Sequence, residues 1–217
     1  MSMIIENDKI YQFKDYKDPN DILLEHKIEG KYINDLEKNI KTLKEQKPLF
    51  YLTGNEFQKQ EGKNFKQQAQ EFFNSLNNKI ENSIIDKDIN LGASGIRKTM
   101  QNGLYKEKCC ALQAVPTLLT KHEDVSKNAI IMNKELKWKD RDYDTYLVVG
   151  TIDIAGKEYI VEIIIHNHIN GQSDFYLEEV EDKGNFLTSF QDMGMQKQGT
   201  TPPKKFYLYY YFKTICE

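Results

Sequence analysis

Two short stretches of this chain carry side chains able to move protons and hold phosphate. Arg97 and Lys98 are adjacent cations inside a glycine-rich entry, Gly92-Ala-Ser-Gly-Ile-Arg-Lys, which reads as a helix start with Ser94 as its N-cap. His166 and His168 lie two residues apart in an alternating run, so on a strand both project from one face. Tyr176 and Glu178 share a face of the next run, and Glu179 turns to the other side. Histidine changes protonation near neutral pH, and a glutamate does so when its surroundings raise its pKa. Cleaving RNA without a metal needs a base for the 2′-hydroxyl, an acid for the leaving 5′-oxygen and cations for the phosphoryl charge. His166, His168 and Glu178 are candidates for the first two tasks, Arg97 and Lys98 for the third, and Tyr176 for orienting the substrate. Each residue also has an ordinary reading: exposed helix charge, histidines solvated at a hairpin end, and a solvent-facing strand carboxylate.

Around this set lie residues suited to holding an RNA strand. Ser94 and the free N–H groups of a helix start form an anion site. Lys106, Lys108 and Arg141 are candidate phosphate contacts, and Trp138, flanked by Lys137 and Lys139, can stack on a base or pack half-buried. Two same-face histidines with Glu162 make a partial ligand set, but no third ligand has clear spacing, so no metal and no cofactor are expected.

The elements that must position these groups follow from periodicity and turns. Ile33, Leu36, Ile40 and Leu43 form one face of a helix closed by Pro48, and Leu49 to Thr53 reads as a short strand. Phe65, Ala69, Phe72, Phe73, Leu76 and Ile80 form the stripe of a helix over 61–80. Ile84-Ile85 and 89–91 are short strand candidates, and another helix runs over 105–119 with Pro116 in its last turn. Ala155-Gly156 and Asn170-Gly171 join three alternating runs, 146–154, 158–168 and 173–181, as an antiparallel meander. Residues 184–205 read as a loop containing Pro202-Pro203, and Phe206 to Ile215 has high strand propensity. Helices first and strands later indicate an α+β fold, helices packed on a twisted antiparallel sheet. The division expected is a mostly helical extension, 1–47, and an α+β domain, 48–217.

Composition narrows the partners. The chain has 217 residues, 39% hydrophobic and 29% charged, with 13 Tyr and 11 Phe, enough for a folded core. A net charge of −3 argues against a protein that coats nucleic acid nonspecifically. The charge is uneven, however. From Arg97 to Arg141 roughly ten Lys/Arg meet about five acids, whereas from Asp142 onward roughly twelve acids meet about six bases. The three cysteines show no pairing or metal spacing, which fits a reducing compartment. No apolar run reaches a membrane span and no secretory signal opens the chain, so the expected location is cytoplasmic, or a target cell reached without a cleaved signal peptide.

A family resemblance joins several of these motifs. Leu52-Thr-Gly-Asn-Glu-Phe57, Gly95-Ile-Arg-Lys98, Lys108 with Ala111-Leu112 and Pro116, Trp138-Lys-Asp-Arg141 with Asp144, Gly156-Lys-Glu-Tyr159 and Tyr176-Leu-Glu-Glu-Val180 resemble a phage-associated nuclease-toxin domain. That domain occurs at the C-terminus of Mu-like head-morphogenesis proteins. It is grouped with the barnase, EndoU, colicin and RelE-like ribonucleases. Over roughly residues 50–183 the resemblance implies a small α+β domain, metal-independent cleavage of RNA (tRNA among the targets), a role as a toxin in bacterial or phage conflict, and a cognate immunity protein as partner. The chain departs from the family pattern at two expected histidines, where it carries Gln101-Asn102 and Glu178. Neither Gln nor Asn titrates near neutrality. The alternative is therefore a noncatalytic RNA- or protein-binding module of the same fold.

Overall fold

The computed structural model describes residues 2–6, 9–13, 38–57, 62–101, 103–133, 143–168 and 170–188. The chain divides into two units, 1–45 and 46–217. In the first unit, strands β1 (Ser2–Glu6) and β2 (Lys9–Phe13) pair as an antiparallel hairpin, and helix α1 spans 38–45. The extension expected to be mostly helical thus carries a hairpin ahead of its helix. The first turns expected of that helix, from Tyr32, lie outside the described residues.

The second unit is α+β. Its strands are β3 (Phe50–Leu52), β4 (Lys79–Ile80), β5 (Ile89–Asn90), β6 (Ile130–Asn133), β7 (Tyr143–Ile154), β8 (Lys157–His168) and β9 (Ser173–Asp182). Its helices are α2 (Phe65–Ser75), α3 (Ala93–Gln101), α4 (Lys106–Ala111), α5 (Val115–Leu119) and α6 (183–188). Among the described residues the strands form one sheet in the order β3-β7-β8-β9-β5-β4, with β6 also paired to β7. The run β6-β7-β8-β9 is antiparallel throughout, its β7-β8-β9 part as the turn signals predict. At the Ala155-Gly156 turn both residues have positive φ, 53° and 85°, the twist that a two-residue hairpin requires. The sheet is mixed, however, because β3 pairs with β7 and β5 with β9 in parallel. Pairings between segments so distant in sequence leave no local signal.

The helices differ from expectation at their ends. α2 starts at a capping box, where Asn64 Oδ1 accepts from Gln67 N and Gln67 Oε1 accepts from Asn64 N. It stops well before Ile80, because Asn77 and Asn78 turn left-handed and Ile80 enters β4. The expected 105–119 helix is broken into α4, a single 3₁₀ turn at Leu112–Ala114, and α5 with Pro116 in its first turn. Ile84-Ile85 is a turn rather than a strand, beside a lone bridge from Ser83 to Thr120. α6 occupies part of the stretch expected to be loop, and Asp182 caps it by accepting from Asn185 N at 2.9 Å. That bond, with the ammonium of Lys157, holds the Asp182 carboxyl below its usual range. The loop from 189 onward and the strand expected over 206–215 lie outside the described residues.

One face of the sheet supplies the core. Val148, Ile152, Val161, Ile163, Ile165, Phe175 and Leu177 alternate toward Phe73, Ile96, Leu112, Val115 and Leu118 of the helices. Residues between them in sequence, including His166, Asp174 and Tyr176, turn to the opposite face.

Candidate functional site

The site begins with where α3 lies. A Cβ built on Gly95 would stand 2.4 Å from the carbonyl oxygen of Phe175. Only glycine lets the helix come this close. One turn on, Thr99 Oγ1 donates to Gly95 O at 2.9 Å and accepts from Leu177 N at 3.0 Å. Strand N–H and C=O groups lie in the plane of the sheet, so a helix bonded to them lies beside the strand, not over its face. α3 therefore runs along the outer edge of β9. Ile96 turns into the core, and Lys98, on the other flank, reaches the face opposite it.

On that face Lys98 meets the end of the β8–β9 hairpin. Its Nζ lies 3.2 Å from His166 Nδ1 and 3.4 Å from Asp174 Oδ2, and 5.7 Å from the centre of the Tyr176 ring. Asp174 is the direct cross-strand partner of His166, with Oδ1 3.6 Å from Nδ1, while its Oδ2 lies 3.8 Å from His168 Nε2. The two imidazole rings stand 6.4 Å apart, and His166 lies edge-on to Tyr176 at 5.5 Å. The Lys98 and His168 side chains are 33% and 34% exposed and those of His166 and Asp174 are 14% and 22% exposed, so solvent and a ligand reach the group. An ammonium, two imidazoles, a carboxylate and a phenol thus share one open patch. Among the described residues no group of three or more His, Cys, Asp or Glu is arranged to hold a metal ion.

Four of the six residues singled out for catalysis meet here: Lys98, His166, His168 and Tyr176. Glu178 does not. The register of β9 against β8 shifts between Glu162 and Ile163, which leaves Glu178 as the extra residue of a bulge, roughly 13 Å along the strand from Asp174. Glu178 is buried there, and its carbonyl accepts from Lys108 Nζ at 2.6 Å. Arg97 is exposed on α3 and makes no hydrogen bond or ion pair with the patch among the described residues. Ser94 is exposed inside the first turn, one residue past the helix start, and so is not its cap.

Of the expected RNA contacts, Lys106 is exposed at the start of α4. Lys108 is fully buried. Burial pushes its pKa down, against the pull of the Glu179 and Glu178 charges, and its ammonium is spent on a strand carbonyl rather than offered to RNA. Beside it the single Tyr105 hydroxyl proton is shared between Glu179 and Val180 O, and the hydroxyl oxygen accepts from Val180 N at 2.9 Å. Burial, then the Glu179 bond, carries the Tyr105 phenol well above its usual range. Trp138 and Arg141 lie outside the described residues. Asp174 is not among the residues expected from the sequence. A two-residue Asn170-Gly171 turn would put Phe175 opposite His166, whereas in the observed register His168 faces Gln172 and the carboxylate of Asp174 stands opposite His166.

A family model described as large polyvalent protein-associated domain 3 matches residues 60–176. The chain belongs to this family. The matched stretch runs from just before α2 to Tyr176, and contains every member of the patch: Lys98, His166, His168, Asp174 and Tyr176. The match speaks to association with large polyvalent proteins, and the nuclease-toxin identity implied by the resemblance lies beyond it. No curated protein and no solved structure matches the chain. Among the described residues no helix is long and apolar enough to cross a membrane.

Proposed function

We propose that this polyvalent-protein-associated domain is a metal-independent ribonuclease, acting by attack of a 2′-hydroxyl on the adjacent phosphodiester. The observation that carries this reading is the partly exposed patch in which Lys98, His166, His168, Asp174 and Tyr176 converge. In it, one imidazole takes the proton of the 2′-hydroxyl and the other returns one to the 5′-oxygen. Lys98 meets the charge that grows on the phosphoryl oxygens. Tyr176 orients the substrate against this group. Asp174 orients the imidazoles. Exposed Arg97, Ser94 and Lys106 lie on α3 and α4, where they can take neighbouring phosphates of the strand.

The setting proposed with this chemistry is conflict between bacteria or between phage and host. In it the domain is a toxin against cellular RNA, tRNA included, and a cognate immunity protein covers the patch in the producing cell. A noncatalytic binding module is the second reading. It is favoured by the Lys98–Asp174 ion pair, which neutralises the cation that cleavage needs.

The test is incubation of the purified chain with total RNA and with tRNA in EDTA. The ribonuclease reading expects new 5′-hydroxyl ends and 2′,3′-cyclic phosphates, with His166→Ala and His168→Ala each slower by about 10²-fold or more. Retained binding of RNA with no cleavage of any RNA tried would favour the binding module instead.

A further inference from the structure

We propose that Asp174 is a positioning residue whose carboxylate passes from Lys98 to His166 when His166 gains a proton, and that this exchange frees Lys98 for a phosphodiester. The inference rests on the ribonuclease reading above and assigns the regulation of that patch. An ammonium has donors only, so with Lys98 Nζ 3.2 Å away, His166 Nδ1 is the acceptor. The ring proton of neutral His166 is therefore on Nε2. Asp174 Oδ2 pairs with the same ammonium at 3.4 Å. Its other oxygen, Oδ1, is buried with no hydrogen-bond donor among the described residues, yet it lies 3.6 Å from His166 Nδ1. A buried carboxylate oxygen without a donor is costly, and the His166 nitrogen beside it carries no proton in the neutral ring.

Protonation at Nδ1 reverses these roles. The solvent proton turns the nitrogen from acceptor to donor, Lys98 loses its ring partner, and Asp174 Oδ1 gains the donor it lacks. The Lys98–Asp174 pair is replaced by a His166–Asp174 pair, and the ammonium turns outward with its charge uncompensated. Among the described residues, groups facing His166 include Lys98 from α3, His168 from its own strand, and Asp174 and Tyr176 from β9. On β7 the residue opposite it is Thr145, which does not titrate. The same proton that makes His166 an acid thus opens the cation for the phosphate that the acid will act on.

Two readouts test the exchange without requiring catalysis. Imidazole ¹⁵N spectra report the tautomer of His166. At about pH 8, above the usual histidine titration, wild type should be the Nε2–H form. Lys98→Met should be the Nδ1–H form, because Asp174 then captures that proton. A Lys98→Met protein that keeps the Nε2–H tautomer overturns the proposal. The second readout is affinity for a 2′-O-methyl oligonucleotide, which keeps the diester charge but lacks the attacking hydroxyl. Asp174→Asn should bind it about tenfold more tightly than wild type near pH 8, the worth of one charge-assisted contact. The gap should close near about pH 5, below the usual histidine titration. Equal affinities near pH 8, or a gap that does not change with pH, overturn the proposal. If both expected patterns appear while ordinary RNA is left intact, the exchange stands and the ribonuclease reading alone falls.

Discussion

The two ends of strand β9 are built from the same kinds of side chain and use them in opposite ways. At the hairpin end a helix lysine, a strand carboxylate and a phenol meet as Lys98, Asp174 and Tyr176. At the far end a helix lysine, a strand carboxylate and a phenol lie together as Lys108, Glu179 and Tyr105, with Lys108 bonded to the main-chain carbonyl of Glu178. The difference lies in what the polar atoms bond to. β5 pairs with β9 only through Asn90 and Asp174, so beyond that point the outer edge of β9 has no neighbouring strand among the described residues. Its backbone is satisfied instead by side chains: Thr99 Oγ1 takes Leu177 N, Lys108 takes Glu178 O, and Tyr105 takes Val180 N and O. Lys108 and Tyr105 are thus consumed in closing an edge that would otherwise bury unpaired groups. At the hairpin end the side chains meet one another and stay open to solvent. A lysine bonded to a backbone carbonyl holds the fold; a lysine ringed by titratable groups is available for chemistry.

Both ends depend on α3 and α4 lying against the β9 edge, so the change with the largest expected effect is at Gly95. Gly95→Ala puts a methyl group 2.4 Å from Phe175 O and should cost about 3 kcal/mol of unfolding free energy. An unchanged denaturation midpoint would mean that α3 does not lie so close. Next comes the pair of lysines. Lys108→Ala should lose about 2 kcal/mol of stability, the worth of a charge-assisted bond to a buried carbonyl. Lys98→Ala should stay within about 0.5 kcal/mol of wild type in unfolding while slowing RNA cleavage by about 10²-fold. The reverse pattern would exchange the roles assigned to the two ends.

Smaller effects sharpen the same contrast. The folded-state pKa of Lys108 is depressed below 10.5, so between that lowered value and 10.5 the unfolded chain holds more protons. Stability should therefore rise with pH through this alkaline window, by up to about 1.4 kcal/mol per pH unit. The slope should be absent in Lys108→Met, and an equal slope in both proteins would show that Lys108 is not its source. Finally, Gln46 ties the start of the second unit to the sheet. Its side chain accepts from Thr151 N at 3.0 Å and donates to Asn128 O at 3.2 Å, and its carbonyl accepts from Lys183 at 2.8 Å. We expect a chain beginning at Gln46 to unfold cooperatively, and one beginning at Leu49 to be less stable by about 1 kcal/mol or more. Loss of cooperative unfolding in the longer fragment would make the first unit integral to the second.

Local chemistry makes part of this architecture legible in the sequence. The Ala155-Gly156 and Asn170-Gly171 turns, with strict alternation around them, are enough to put His166 and His168 on one face. Gly92 to Lys98 likewise reads as a helix start bearing cations. What escapes a sequence reading is set at a distance. The bulge that removes Glu178 depends on how β8 and β9 twist together, and a strict two-residue period cannot foresee it. The burial of Lys108 follows from an unpaired strand edge some seventy residues away in sequence. Asp174 escapes for a related reason: a register counted outward from a two-residue Asn170-Gly171 turn pairs His166 with Phe175, and only the three-residue loop of the structure brings Asp174 opposite it. Selecting residues by type and face alone misses it, because its role comes from its cross-strand partner.

The central claim is that the hairpin end performs chemistry while the far end holds the fold, and one comparison tests it most directly: RNA cleavage in EDTA, per folded molecule, by wild type and His166→Ala. Wild type should give 2′,3′-cyclic phosphate products, the variant should lose about 10²-fold or more of that rate, and both should share one unfolding midpoint. Cleavage that survives His166→Ala at the wild-type rate would contradict the claim.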